Sequence, residues 1–157
     1  MTLDRAILTS ALRHLAGVRY DASARPRPHT MDCTRATFAI LRDVYGPIVD
    51  TVSPALHIRN AGDPFSNVDA VAGLGLGELV SHPGAGWSLC QGWRQLEPLH
   101  GGHAWLWWEP PVPFPGPGLI VQATPIQPWC ERRTWGEQRG KFPAGVKVCQ
   151  LREVSYV

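Results

Sequence analysis

The apolar positions of this chain recur at helical spacing in its first half and alternate in its second. Leu8, Ala11, Leu12 and Leu15 stand at i, i+3, i+4 and i+7, one face of an N-terminal helix that Gly17 ends. A loop over 22–29 follows, stiffened by Pro26 and Pro28. A second helix is predicted from Cys33 to Tyr45. Ala36, Ile40 and Val44 form one stripe, with Thr37 and Leu41 beside it. Phe38 and Tyr45 widen that stripe, so the helix is expected to be buried on more than one side. Gly46-Pro47 stops it. Residues 47–66 read as irregular, punctuated by Pro54 and Pro64. Ser66 or Asn67 then caps a short helix predicted to run through Val80, although Gly73, Gly75 and Gly77 each cost it about 1 kcal/mol relative to alanine. His82-Pro83-Gly84 is a turn.

From Trp87 the period is two. Residues 87–93, 103–108, 119–124, 146–151 and 154–157 read as strands. Helices first and strands later predict an α+β fold, with N-terminal helices packed on an antiparallel sheet. The proline-rich 109–118 reads as a hairpin connection, because proline cannot pair inside a sheet. Cys130-Glu131-Arg132-Arg133 reads as a solvated stretch. Trp105, Trp107 and Trp108 are expected to pack on both faces of the sheet. Trp87, Trp93, Trp129 and Trp135 are candidates for lining a groove.

Composition narrows the classes. The 157 residues suit a single domain spanning 1–157. Fifteen basic against thirteen acidic residues leave a net charge of +2, too little to argue for a nucleic-acid partner. Charged residues make up 18% and hydrophobic ones 44%, the balance of a globular chain. No apolar run is long enough to insert in a membrane. Asp4, Arg5, Arg13 and His14 interrupt the N-terminal apolar pattern, so residues 1–17 read as an amphipathic helix and not as a secretion signal. The expected place of synthesis is a cytoplasm. The four cysteines, Cys33, Cys90, Cys130 and Cys149, include no C-x-x-C pair, which points to one functional thiol and three ordinary ones.

The candidate chemistry gathers at Cys33. Asp32 is a good N-cap, which puts Cys33 at the first helical position. The partial positive charge there favours thiolate over thiol. His103 opens an apolar strand after Gly101-Gly102. Alternation puts it on the face of Trp105 and Trp107. Gln122, in the next apolar segment, can accept from an imidazole N–H. Together these are the parts of a Cys–His dyad with an orienting third residue. The Cys33 backbone N–H is a ready oxyanion donor. His100 and His103 with Cys90 or His82 could make a zinc set, but no spacing is diagnostic. No metal or other cofactor is expected.

These residues carry a resemblance. Gly17-Val18-Arg19-Tyr20, Asp32-Cys33, Gly102-His103 and Val121-Gln122-Ala123-Thr124, in that order, resemble the NlpC-family cell-wall peptidases, compact papain-like cysteine hydrolases. The resemblance implies Cys33 as nucleophile, His103 as base, Gln122 as third residue and Tyr20 near the oxyanion site, with Asp32 and Trp93 beside the substrate. It implies hydrolysis of an amide bond in peptidoglycan stem peptides. It also admits a phage setting, with virion tail proteins as partners and delivery to the periplasm or cell wall. The chain departs from the family in Thr34-Arg35 after the cysteine, in Asp21-Ala22-Ser23 after the tyrosine, and in glutamine as the third residue. Residues 46–100 read as an insertion, whose Cys90-Gln91-Gly92-Trp93-Arg94 could line the cleft. The alternative function is a non-catalytic structural or binding component, such as part of a phage tail tip, that keeps the fold.

Overall fold

The computed structural model describes residues 2–22, 28–52, 65–96, 102–112, 116–125 and 128–154. Among these residues the fold is mixed α+β, with four helices and an antiparallel six-stranded sheet. Helix α1 spans Leu3–Leu15 and is capped by Thr2, whose hydroxyl accepts from the Arg5 N–H. Strands β1 (Arg19–Tyr20) and β2 (Thr30–Met31) form a short parallel pair ahead of α2 (Cys33–Tyr45). The boundaries of α2 are those predicted, because both ends carry strong local signals: Asp32 caps the start and Gly46, at φ 88°, ends it. A 3-10 turn follows over Pro47–Thr51, then α3 (Ser66–Gly73), β3 (Gly77–Val80), β4 (Gly86–Trp93) and β5 (His103–Glu109). The chain continues through β6 (Gly118–Val121), β7 (Cys130–Arg133), α4 (Trp135–Gly140) and β8 (Gly145–Leu151). The strand order is β3-β8-β4-β5-β6-β7, with every neighbouring pair antiparallel.

Several expectations are corrected. The buried face of α1 is Leu3, Ala6, Ile7, Ser10, Ala11 and Leu15, whereas Leu8 and Leu12 are exposed, Leu12 at 58%. Both stripes have helical period, and only the position of α2 chooses between them. The third helix stops at Gly73. Gly77–Val80 is instead a strand held by the far edge of β8, with Gly77 opposite Leu151. The segment 119–124 leaves the sheet after Val121, so Gln122 sits just past the strand end. Cys130–Arg133 is a strand paired with β6, not a solvated stretch, and Arg133 is buried. Helix α4 is an addition to the predicted elements, and Thr134-x-x-Glu137 is the capping signature that marks its start. Within residues 46–100, β4 is a central strand of the sheet, flanked by β5 and β8. Pro54, Pro64, His100, Gly101 and residues 155–157 lie outside the described residues.

The sheet separates two cores. Alternation sends Trp87, Leu89, Leu106, Val121, Cys149 and Leu151 to one face, where α1, α2 and α3 supply Ile7, Ala11, Ile40, Leu41, Val68 and Val71. The opposite face carries Cys90, Trp105, Trp107, Ile120 and Val148, covered by Phe142 and Trp135. Trp135 meets Trp107 edge-on with centroids 5.2 Å apart, a favoured aromatic geometry. Polar ties fix the helices on their side. Asp43 of α2 accepts from Ser10 at 2.6 Å and contacts His14 at 2.8 Å and Arg13 of α1. The Trp87 indole N–H donates to Asp4 at 2.7 Å, tying α1 to β4. Helix α2 lies against β5, which brings Cys33 at its N-terminus to the open end of the sheet where His103 begins.

Candidate active site

The site is built at one junction, the first turn of α2 against the first residue of β5. The Asp32 carboxylate accepts from the Arg35 N–H at 2.7 Å, the N-cap bond that starts α2 at Cys33. Its other oxygen accepts from Arg35 Nε at 3.0 Å, and Arg35 also donates to the Asp21 carbonyl at 2.9 Å. Arg35 therefore clasps the segment that carries Tyr20. Asp32 acts through the helix start and this clasp. Tyr20 pairs with Met31 in the β1–β2 ladder and reaches the Cys33 sulfur with its hydroxyl. Burial pushes the Tyr20 phenol up, and nearby Cys33 and Asp32 push it further, to about 12. It is a proton donor across the whole neutral range.

His103 lies within hydrogen-bonding reach of Cys33, and its Nε2–H donates to Gln122 Oε1 at 2.7 Å. That leaves Nδ1 for the thiol. A glutamine oxygen is acceptor only, so it selects the ring form with hydrogen on Nε2. Gln122 is itself buried at 3% exposure, and its backbone N–H donates to the Trp129 carbonyl at 2.9 Å, which holds it beyond the end of β6. Burial raises the Cys33 pKa, but hydrogen bonding and charge from His103 outweigh it, helped by the Ala104 N–H and the Thr34 hydroxyl. The net shift is downward. Burial lowers His103, and Cys33 and then Gln122 reverse that, so its net shift is upward. The two shifts together favour the thiolate–imidazolium form.

The imidazole is held flat between aromatic rings. Trp105 stacks at 5.8 Å and Phe142 at 6.1 Å, with interplanar angles of 18° and 10°. Two glycines make room for this packing. A Cβ on Gly92 would stand 2.6 Å from the Phe142 ring, and one on Gly102 would stand 2.7 Å from Trp93. Trp93 is thus a buried support under the Gly102-His103 backbone, 2% exposed, and not a groove-lining residue. Of the other groove candidates, Trp87 and Trp135 pack in the two cores, and Trp129 lines a cavity beside Tyr20.

Two cavities flank Gln122 and share Thr124. One, of about 190 Å³, is bounded by Tyr20, Met31, Ala123 and Trp129. The other, of about 220 Å³, is bounded by His103, Phe142, Arg94, Arg133 and Lys141. Phe142, Thr34 and the Ala104 N–H were invisible to the sequence reading, since they carry no motif and reach the site through pairing and packing alone. Among the described residues no three His, Cys, Asp or Glu side chains gather as a metal site, and all four cysteines are free thiols. No family model, curated protein or solved structure matches the chain.

Proposed function

We propose that the chain is a cysteine hydrolase with a papain-like, NlpC-type fold that cleaves an amide bond in peptidoglycan stem peptides. The observation that carries this reading is the unbroken line from Cys33 to His103 to Gln122, with the Tyr20 hydroxyl on the sulfur. In the proposed reaction the Cys33 thiolate adds to the amide carbon. The oxyanion is met by the Cys33 backbone N–H, in a helix turn whose N–H groups lack intrahelical partners, and by Tyr20. The imidazolium gives its Nδ1 proton to the leaving amine as the C–N bond breaks, leaving a thioester. His103 then takes a proton from water, which adds to the thioester. Collapse releases the acid and returns the sulfur as thiolate beside imidazolium. Gln122 holds the ring through both steps. The phage setting and virion partners belong to the same reading and rest on the resemblance alone.

The burial of Cys33, 7% exposed, favours a second reading, a structural or binding component that keeps the fold without catalysis. Purified sacculi and soluble stem peptides separate the two. The hydrolase reading expects new amine and carboxylate termini by mass spectrometry, lost in Cys33→Ala and in His103→Ala. Undigested substrate with folded wild-type protein would leave the structural reading standing.

A further inference from the structure

The dyad uses the two nitrogens of His103 and leaves the faces of its ring to the packing. Gly92 stands directly opposite His103 in the β4–β5 ladder. Residues opposite one another share a face of the sheet, so a side chain at 92 would stand beside the imidazole. Gly92 has none, and the Phe142 ring takes that space, so close that a Cβ at 92 would meet it at 2.6 Å. Three rings, those of His103, Trp105 and Phe142, thereby form one cluster. They lie within 18° of parallel, and the centroids are 5.8 Å apart for His103 and Trp105, 6.1 Å for His103 and Phe142, and 5.1 Å for Trp105 and Phe142. These are the separations of offset stacking.

Trp105 shares a strand with His103, but Phe142 comes from the turn after α4, where backbone bonds fix it. The Phe142 N–H donates to the Arg139 carbonyl at 3.0 Å, and the Gly145 N–H donates to the Phe142 carbonyl at 3.0 Å. The Ala144 N–H donates to the Trp93 carbonyl at 3.1 Å, which ties the turn to the end of β4. The face of an aromatic ring is negative, so its effect on a histidine depends on charge. A cation within about 6 Å of the centroid is drawn to that face, and a neutral imidazole gains much less. Other surroundings act on the same equilibrium. Burial disfavours the charged ring of His103, and Lys141 beside Phe142 adds to that, while Cys33 of α2 and Gln122 beyond β6 oppose them. Arg94 of β4 and Arg133 of β7 bring further positive charge to the cavity that His103 lines. None of these groups changes when only the ring at 142 is altered.

We propose that Phe142 is a positioning residue for the Cys33–His103 pair: the face of its ring, seated over Gly92, fixes the plane of the imidazole and favours the imidazolium over the neutral ring. Phe142 touches no reacting atom and acts on the Cys33 thiolate through His103. The role rests on the Cys33–His103 pair of the hydrolase reading and is independent of the bond that is cut.

Fluorination of the ring tests this, because it drains negative charge from the face at nearly constant shape. Phenylalanine, difluorophenylalanine and pentafluorophenylalanine are placed at position 142 of the full chain carrying Cys33→Ala. The imidazole carbon resonance of His103, assigned by its loss in His103→Gln, is then titrated by NMR. Its inflection should fall stepwise along the series, by about half a pH unit or more for the pentafluoro ring. A role in packing alone would not follow the fluorines. Titrations that superimpose across the series, in proteins with unchanged melting curves, overturn the proposal. With Cys33 intact, the same series should move the acid-side inflection of iodoacetamide alkylation upward and slow the reaction below it by about threefold. A Cys33 inert in every form, beside a His103 titration that follows the fluorines, would fell the hydrolase reading and leave the role of Phe142 standing. A reactive Cys33 beside a titration blind to the fluorines would do the reverse.

Discussion

Replacing Gln122 by alanine removes the acceptor that holds the Nε2 side of the His103 ring. The bond is 2.7 Å long and part-buried, with Gln122 itself only 3% exposed. A hydrogen bond to a charged partner contributes about 1.5–3 kcal/mol, and one between neutral groups about 0.5–1.5 kcal/mol. The imidazolium therefore loses roughly 1.4 kcal/mol more than the neutral ring, which is about one pKa unit. The thiolate–imidazolium pair exists between two pH values. It forms above the lowered pKa of Cys33 and is lost above the raised pKa of His103. Loss of Gln122 lowers His103 directly. It raises Cys33 indirectly, because the thiolate depends on the imidazolium. The window narrows from both sides. The assay is the pH profile of iodoacetamide alkylation at Cys33, followed by peptide mass spectrometry. The acid-side inflection should move up by about one unit, with about a tenfold lower rate below it. Gln122→Glu should move His103 the other way, because a carboxylate favours the charged ring. A Gln122→Ala profile that superimposes on wild type, in protein whose melting curve is intact, would refute the coupling of Gln122 to the thiol through His103.

Other outcomes follow from the packing. Gly102→Ala drives a Cβ into Trp93 and should cost about 1–3 kcal/mol in urea denaturation; a second substitution, Trp93→Leu, should recover part of that loss if the contact is the cause. Gln91 is fully buried, and its amide atoms have no hydrogen-bond partner among the described residues, so Gln91→Met should raise stability by about 1–3 kcal/mol, read as a higher melting temperature. Asp32→Ala removes the α2 cap and the Arg35 clasp, and should cost about 1–2 kcal/mol in the same denaturation assay while slowing Cys33 alkylation. Burial raises the Asp43 carboxyl, but hydrogen bonds from Ser10, His14 and Arg13 lower it on balance, so it adds stability above its unfolded pKa of about 3.9 that is lost as pH falls through the lowered native value. Asp43→Asn should flatten that acid limb of the stability curve.

Local chemistry determined the first part of this protein by itself. Asp32 and Gly46 bound α2 because capping and a left-handed C-terminus are properties of single residues, and so Cys33 could be placed at a helix start from sequence alone. Alternation along 103–108 put His103 on the face of Trp105 and Trp107, because the pleat dictates which side chains share a side. Tertiary structure decided the rest. Nothing in Gly77–Val80 or Cys130–Arg133 announces a strand, and each becomes one because an edge of β8 or β6 offers it hydrogen bonds. The buried face of α1 depended on where α2 lies. Trp93 became a support and not a wall because Gly102 left room for its ring. Phe142, Lys141, Arg133 and Arg94 reach the site from three elements distant in the chain. Period and capping are read over a few neighbouring residues, whereas a cavity is made by segments that meet only when the sheet has formed.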